Sequence, residues 1–140
     1  LRYPLKSSKG KFDRSTLRQM AARYRKFAKK RPVYVGEFGI HSRQGLYGDD
    51  VWLADLLKCF EDEGFHWTYW TYKAIKNHMF PDGIYSYFPN EPWVSRHGPK
   101  AGWETWADLW PSMKNKIVRS WRTEAFDVNK SVLDVLRKYL

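Results

Sequence analysis

Leu17, Met20, Ala21, Tyr24, Phe27 and Ala28 fall at steps of three and four, with charged residues between them. That spacing predicts an amphipathic helix, capped by Asp13 or Ser15 and running to about Lys30, where Pro32 ends it. A compact apolar run, VYVGEFGI at 33–40, then reads as a strand. The next ten residues, HSRQGLYGDD, form a polar loop, and Asp49 or Asp50 caps a second helix, VWLADLLKCFEDEG. Gly64 suits the C-terminal cap of that helix, and the strand FHWTYWTYK starts at once. Two strands joined by a helix through short connections make a βαβ unit, whose strands run parallel.

Beyond Lys73 the pattern breaks. Residues 74–101 carry four prolines and many aromatics, and read as a long irregular excursion of the kind that often serves function. Trp103, Trp106, Trp110, Met113, Ile117 and Trp121 then return to helical spacing, with Pro111 expected to split the helix in two. The tryptophan stripe reads as packing rather than as a sugar platform. A last amphipathic helix, DVNKSVLDVLRKYL, closes the chain.

Length and composition fit a single domain over residues 1–140. Aromatics reach 18%, a level shared by sugar-binding proteins and by chains that simply fill a core with rings. The net charge of +10 is uneven: residues 1–31 hold 12 Lys/Arg against the single acid Asp13. Such a segment can attract an acidic polymer, or it can be the solvated outer face of the first helix. Cys59, the one cysteine, lies in a helical pattern and reads as a small buried hydrophobe. No apolar run is long enough to span a membrane. The opening LRYPLKSSKG lacks Met and a signal-peptide pattern, and reads as the interior of a longer chain.

Candidate chemistry centres on Glu37. A parallel strand covered on both faces cannot hold an ionised carboxylate in its middle without large cost. Glu37 sits near the strand's C-terminal end, where parallel β/α sheets and barrels place catalytic groups. Gly36 and Gly39 on either side leave room for close approach by a ligand or a neighbouring strand. The bland alternative is a loop-holding salt bridge. In the following strand, alternation puts His66, Thr68, Trp70 and Tyr72 on one side, with Trp70 level with Glu37. An indole beside a carboxylate makes a floor for a pyranose ring.

RPVYVGEFGI, followed some thirty residues on by GFHWTYWTYK, resembles the C-terminal part of glycoside hydrolase family 5, the cellulase-like branch of the clan A barrels. The resemblance runs from the end of strand six to helix eight, so it implies an α/β fold, a partial (β/α)8 TIM barrel. It implies that Glu37, in its GEFG setting at the end of the seventh strand, is the nucleophile. Trp70, in the YW motif of the eighth strand, would line the subsite where the bond breaks. Tyr3, in the opening RYP, would orient the nucleophile. The implied reaction is retaining hydrolysis of a β-glycoside: one carboxylate attacks the anomeric carbon, and a second, about 5 Å away, acts as acid and then as base.

The acid/base of that family belongs to an Asn-Glu-Pro motif at the end of strand four, and strands one to five have no counterpart here. Asn90-Glu91-Pro92 supplies such a tripeptide after strand eight, either by chance or as a loop acid, Glu91, folding back over Glu37. His41 lines the sugar site or only the loop. Lys73 donates to a sugar hydroxyl, as polar residues after this strand do in relatives, or is a surface lysine. His41, His66, His78 and His97 lack metal-ligand spacing, and no phosphate loop occurs, so no metal and no cofactor are expected.

The expected partner is a β-linked oligo- or polysaccharide, with no nucleic acid and no membrane. A chain with only part of a barrel exposes strand edges and half a core. Self-association, or association with the missing N-terminal barrel part, is therefore expected. Alternatively, the loop at 74–101 caps the open side with Phe80, Tyr85, Tyr87, Phe88 and Trp93. The chain alone is expected to be inactive or nearly so. Rival readings are a basic αβ module for an acidic polymer and an inactive carbohydrate-binding remnant. By resemblance, a secreted or periplasmic location is compatible; the sequence itself does not choose one.

Overall fold

The computed structural model describes residues 2–8, 10–41, 46–75, 83–87 and 103–140. It is a mixed α/β chain with three small sheets. A hairpin, β1 (Leu5–Ser7) and β2 (Gly10–Phe12), pairs antiparallel. Helix α1 spans Arg14–Ala28, β3 Tyr34–Phe38, α2 Asp49–Asp62 and β4 His66–Tyr69. Strands β3 and β4 pair in parallel with α2 between them, so the βαβ unit read from the hydrophobic pattern is present.

Each boundary has a local cause. Asp13 caps α1, its carboxylate accepting from the amides of Ser15 at 2.9 Å and Thr16 at 3.4 Å. The second helix is capped differently from the sequence expectation. Its N-cap is Gly48, with φ of 70°, while Asp49 and Asp50 lie in the first turn, where carboxylates suit the helix dipole. The reason is tertiary: a Cβ on residue 48 would lie 2.0 Å from the carbonyl oxygen of Tyr3. Gly64, with φ of 63°, follows α2 as expected of a left-handed terminator.

Helices α1, α2 and α4 (Lys130–Leu136) cover one face of the β3–β4 pair. Leu17, Leu53, Leu57, Phe60, Phe65, Val132 and Leu136 form the buried core, with Val35, Phe38, Trp67 and Tyr69 against it. Phe38, half-buried, packs on this core edge-on to Phe60 at 5.3 Å, Trp67 at 5.8 Å and Tyr69 at 5.7 Å between centroids. Cys59 is buried there as a small hydrophobe, and burial pushes its thiol up. Fully burying a leucine such as Leu57 contributes roughly 1.5–3 kcal/mol.

Three further expectations are corrected. Residues 2–4, where the resemblance implies the end of strand six, form no strand; Tyr3 and Pro4 precede the hairpin instead. Of the segment expected to be irregular, only 74–75 and 83–87 are described, and these contribute strands; the rest, with all four prolines, lies outside the described residues. Strands β5 (Lys73–Ile75) and β6 (Tyr85–Tyr87) pair in parallel, and β7 (Asp127–Val128) joins β6 antiparallel. Finally, Pro111 does not split the helix: α3 runs unbroken over Trp103–Ser120. Leu109 and Met113, on either side of the proline, both pack on the buried Ile117, and that shared contact holds the two arms together. Trp121 joins this cluster, in keeping with the packing reading, whereas Trp110, 6.5 Å from it between centroids, is exposed. The side chains of Trp103 and Trp106 fall outside the described part.

Candidate active site

Strand β3 departs from alternation at the residue of interest. Val35 pairs with Trp67 and Phe38 with Tyr69, so three steps along β3 match two along β4. The extra residue is a bulge at Gly36–Glu37, a device that re-aims a side chain. Strict alternation would put Glu37 on the helix-covered face with Val35. With the bulge, Val35 and Phe38 both pack toward the helices, and Glu37 is exposed. A Cβ on residue 36 would meet only the ring of Tyr34 at 3.7 Å, so the glycine leaves open space beside the carboxylate.

The face opposite the helices is polar and aromatic. Tyr34, Glu37, His66, Thr68 and Trp70 are all exposed. The hydroxyls of Tyr34 and Thr68 are hydrogen-bonded to each other, locking the two strands on this side. Trp70 follows β4, with its amide on the carbonyl of Phe38 at 2.8 Å and its indole 45% exposed. The Trp70–Thr71 peptide bond is cis. Glu37 and Trp70 therefore flank one point at the C-terminal ends of two parallel strands. Among the described residues, the Glu37 carboxylate has no hydrogen-bond or ion-pair partner, so the bland salt-bridge role has no support there. No second carboxylate is carried by β3, β4 or the described residues that directly follow them.

The other sequence candidates scatter. Tyr3 is buried, and its hydroxyl donates to Asp55 Oδ2 on α2 at 2.7 Å. It does not orient Glu37. Burial, reinforced by the Asp55 carboxylate, holds the Tyr3 phenol well above its ordinary range. Lys73 is half-buried; its ammonium donates to the Trp121 carbonyl and lies 4.8 Å from the centre of the Phe126 ring. It is neither a free surface lysine nor directed to a sugar, but a tie between β5 and the end of α3. His41, three residues past β3, is half-buried, with Nδ1 buried and unpartnered among the described residues. Glu91 lies outside the described residues, as do Phe80, Phe88 and Trp93. Tyr85 stacks at a tilt on Tyr72, 5.1 Å between centroids.

Sequence reasoning singled out Glu37 and Trp70 but missed the bulge that turns Glu37 to the exposed face. Its signal was present: Gly36 and Glu37 are two successive non-apolar positions between Val35 and Phe38, which a period of two cannot accommodate. Among the described residues, no cluster of His, Cys, Asp or Glu is arranged to hold a metal ion.

Comparison with protein-family models, with curated proteins and with solved structures gives no match.

Proposed function

We propose that this chain is the C-terminal portion of a retaining β-glycoside hydrolase, endoglucanase-like, with Glu37 as nucleophile and Trp70 as the floor of the sugar subsite. In this reading β3, α2, β4 and α4 are strand seven, helix seven, strand eight and helix eight of a (β/α)8 barrel. The open face of β3–β4 is then the barrel interior. The observation that carries it is the bulge: it brings an exposed carboxylate, without a partner among the described residues, to the C-terminal strand ends where the exposed indole of Trp70 lies. That is the edge where β/α barrels concentrate their chemistry.

In the proposed reaction, Glu37 attacks the anomeric carbon as the aglycone leaves, and water later releases the sugar from the ester. The acid/base carboxylate comes from elsewhere in the assembled barrel, so the chain alone performs at most the first half with a leaving group that needs no protonation. An activated 2-fluoro aryl β-glycoside tests this directly. Slow release of the phenol and a sugar mass on the peptide containing Glu37 are expected. Labelling elsewhere, or undiminished labelling of Glu37→Gln, sinks the assignment.

A further inference from the structure

Past Trp70 the chain carries a second exposed ring. From His66 to Lys73 exposure alternates: His66, Thr68, Trp70 and Tyr72 are exposed, while Trp67, Tyr69, Thr71 and Lys73 are half-buried. Tyr72 lies two residues beyond Trp70, so their Cα atoms are at most about 7 Å apart. Tyr72 is 57% exposed, although Tyr85 lies against it with 5.1 Å between ring centroids and 58° between planes. A ring placed only to fill a core ends buried, as those of Tyr3 and Phe65 do. Tyr72 instead keeps more than half of its surface in water while a neighbouring ring restrains it.

The backbone that carries the two tyrosines is tied on several sides. The Tyr72 carbonyl accepts from the Tyr85 amide and the Thr71 carbonyl from the Ile84 amide, both at 2.9 Å. These bonds lead into the β5–β6 ladder, so close at its start that a Cβ on residue 83 would lie 2.6 Å from the Ala74 nitrogen. Asn129, just ahead of α4, donates its amide to the Ile84 carbonyl at 2.8 Å, and Lys73 ties β5 to the end of α3. A ring on such a backbone, braced by another ring, has already lost much of the freedom that ordering it around a ligand would cost. Its surface is apolar with a hydroxyl at the edge. That combination suits a sugar, whose C–H groups pack on the ring while its hydroxyls meet the polar rim.

We infer that Tyr72, braced by Tyr85, is a second sugar platform next to Trp70, so that the site takes a β-glycan over several sugar units rather than one terminal sugar. The inference rests on the glycosidase reading, in which both tyrosines belong to the connection after strand eight, on the rim where β/α barrels build their sites. Closing the barrel leaves that rim open. In this arrangement Tyr72 touches the sugar chain but no reacting atom, and Tyr85 acts only by holding Tyr72. The pair therefore determines which length of glycan binds, not the chemistry at Glu37.

The test is calorimetric titration of the full 140-residue chain with cello- and manno-oligosaccharides, from disaccharide to hexasaccharide. Wild-type affinity is expected to rise about ten-fold or more between disaccharide and tetrasaccharide. Tyr72→Ala is expected to abolish that rise and to leave disaccharide binding within about two-fold. Tyr72→Phe keeps the ring and should keep the rise. Tyr85→Ala frees the ring and should reduce the rise part-way. Phe27→Ala, which removes an exposed ring on α1, is the control and should change nothing. An undiminished rise in Tyr72→Ala overturns the inference; if Trp70→Ala still weakens binding at every length, the glycosidase reading survives that result. Equal loss in Tyr72→Ala and Tyr72→Phe also overturns it, because the ring is then not what binds. Wild-type binding at no length overturns the inference and counts against the glycosidase reading as well.

Discussion

The amide of Trp70 donates to the carbonyl of Phe38 at 2.8 Å. This bond ties the residue after Glu37 to the first residue past β4, so the carboxylate and the indole are held by backbone rather than by side-chain contact. Substitution of either side chain should leave the strand pairing intact. Glu37→Gln is therefore expected to change stability by less than about 0.5 kcal/mol in denaturant titration. In an assembled, active form, the same substitution should lower turnover by several orders of magnitude, because a carboxamide cannot form the glycosyl ester. Normal β-glycoside hydrolysis by that variant would refute the nucleophile assignment.

Trp70→Ala separates binding from chemistry. With the floor of the subsite removed, fluorescence titration with a β-linked oligosaccharide should show affinity reduced on the order of ten-fold or more, with the fold unchanged by circular dichroism. Unaltered affinity would remove Trp70 from the site.

Tyr3 anchors the N-terminal segment to α2 through Asp55. Tyr3→Phe deletes a hydrogen bond to a charged acceptor and is expected to cost about 1.5–3 kcal/mol by denaturant midpoint. The bond also sets a pH dependence. The phenol is raised in the folded state, first by burial and then by Asp55. Its contribution is complete below the ordinary tyrosine value of about 10 and is lost as pH rises above it. The stability gap between the wild-type chain and Tyr3→Phe should therefore narrow above pH about 10.

Asp13 supplies the opposite window. Hydrogen bonds from Lys11 and then Ser15 hold its carboxyl well below the usual carboxylate range. Its contribution is present above about pH 4 and is lost as acidification approaches the depressed value. Asp13→Ala should lower the melting temperature at neutral pH. The difference from wild type should shrink in acid, and Asp13→Asn, which still caps, should lose less.

Gly48→Ala probes the junction the sequence did not disclose. The added methyl would overlap the Tyr3 carbonyl oxygen at 2.0 Å and meet a φ of 70°. A loss on the order of 2–4 kcal/mol is expected by thermal unfolding. An Ala variant as stable as wild type would show that this contact yields freely.

The sequence determined what is local. Helical spacing placed α1, α2 and α4, Asp13 announced its own cap, and Gly64 marked a stop, because each depends on residues within one or two turns. The aromatic and β-branched runs fixed β3 and β4, and the helix between them made their pairing parallel. Glu37 and Trp70 stood out because a carboxylate and an indole at strand ends are chemically conspicuous. The spacing of Val35 and Phe38 hinted at a bulge, but only the tertiary structure decided which way Glu37 faces, since the extra residue is defined by the register against β4. It also decided that Gly48 caps α2, through a carbonyl 45 residues earlier. Tyr3 went to Asp55 and Lys73 to Trp121 for the same reason: a buried polar group takes the partner that packing brings within reach, and packing is set by the whole chain.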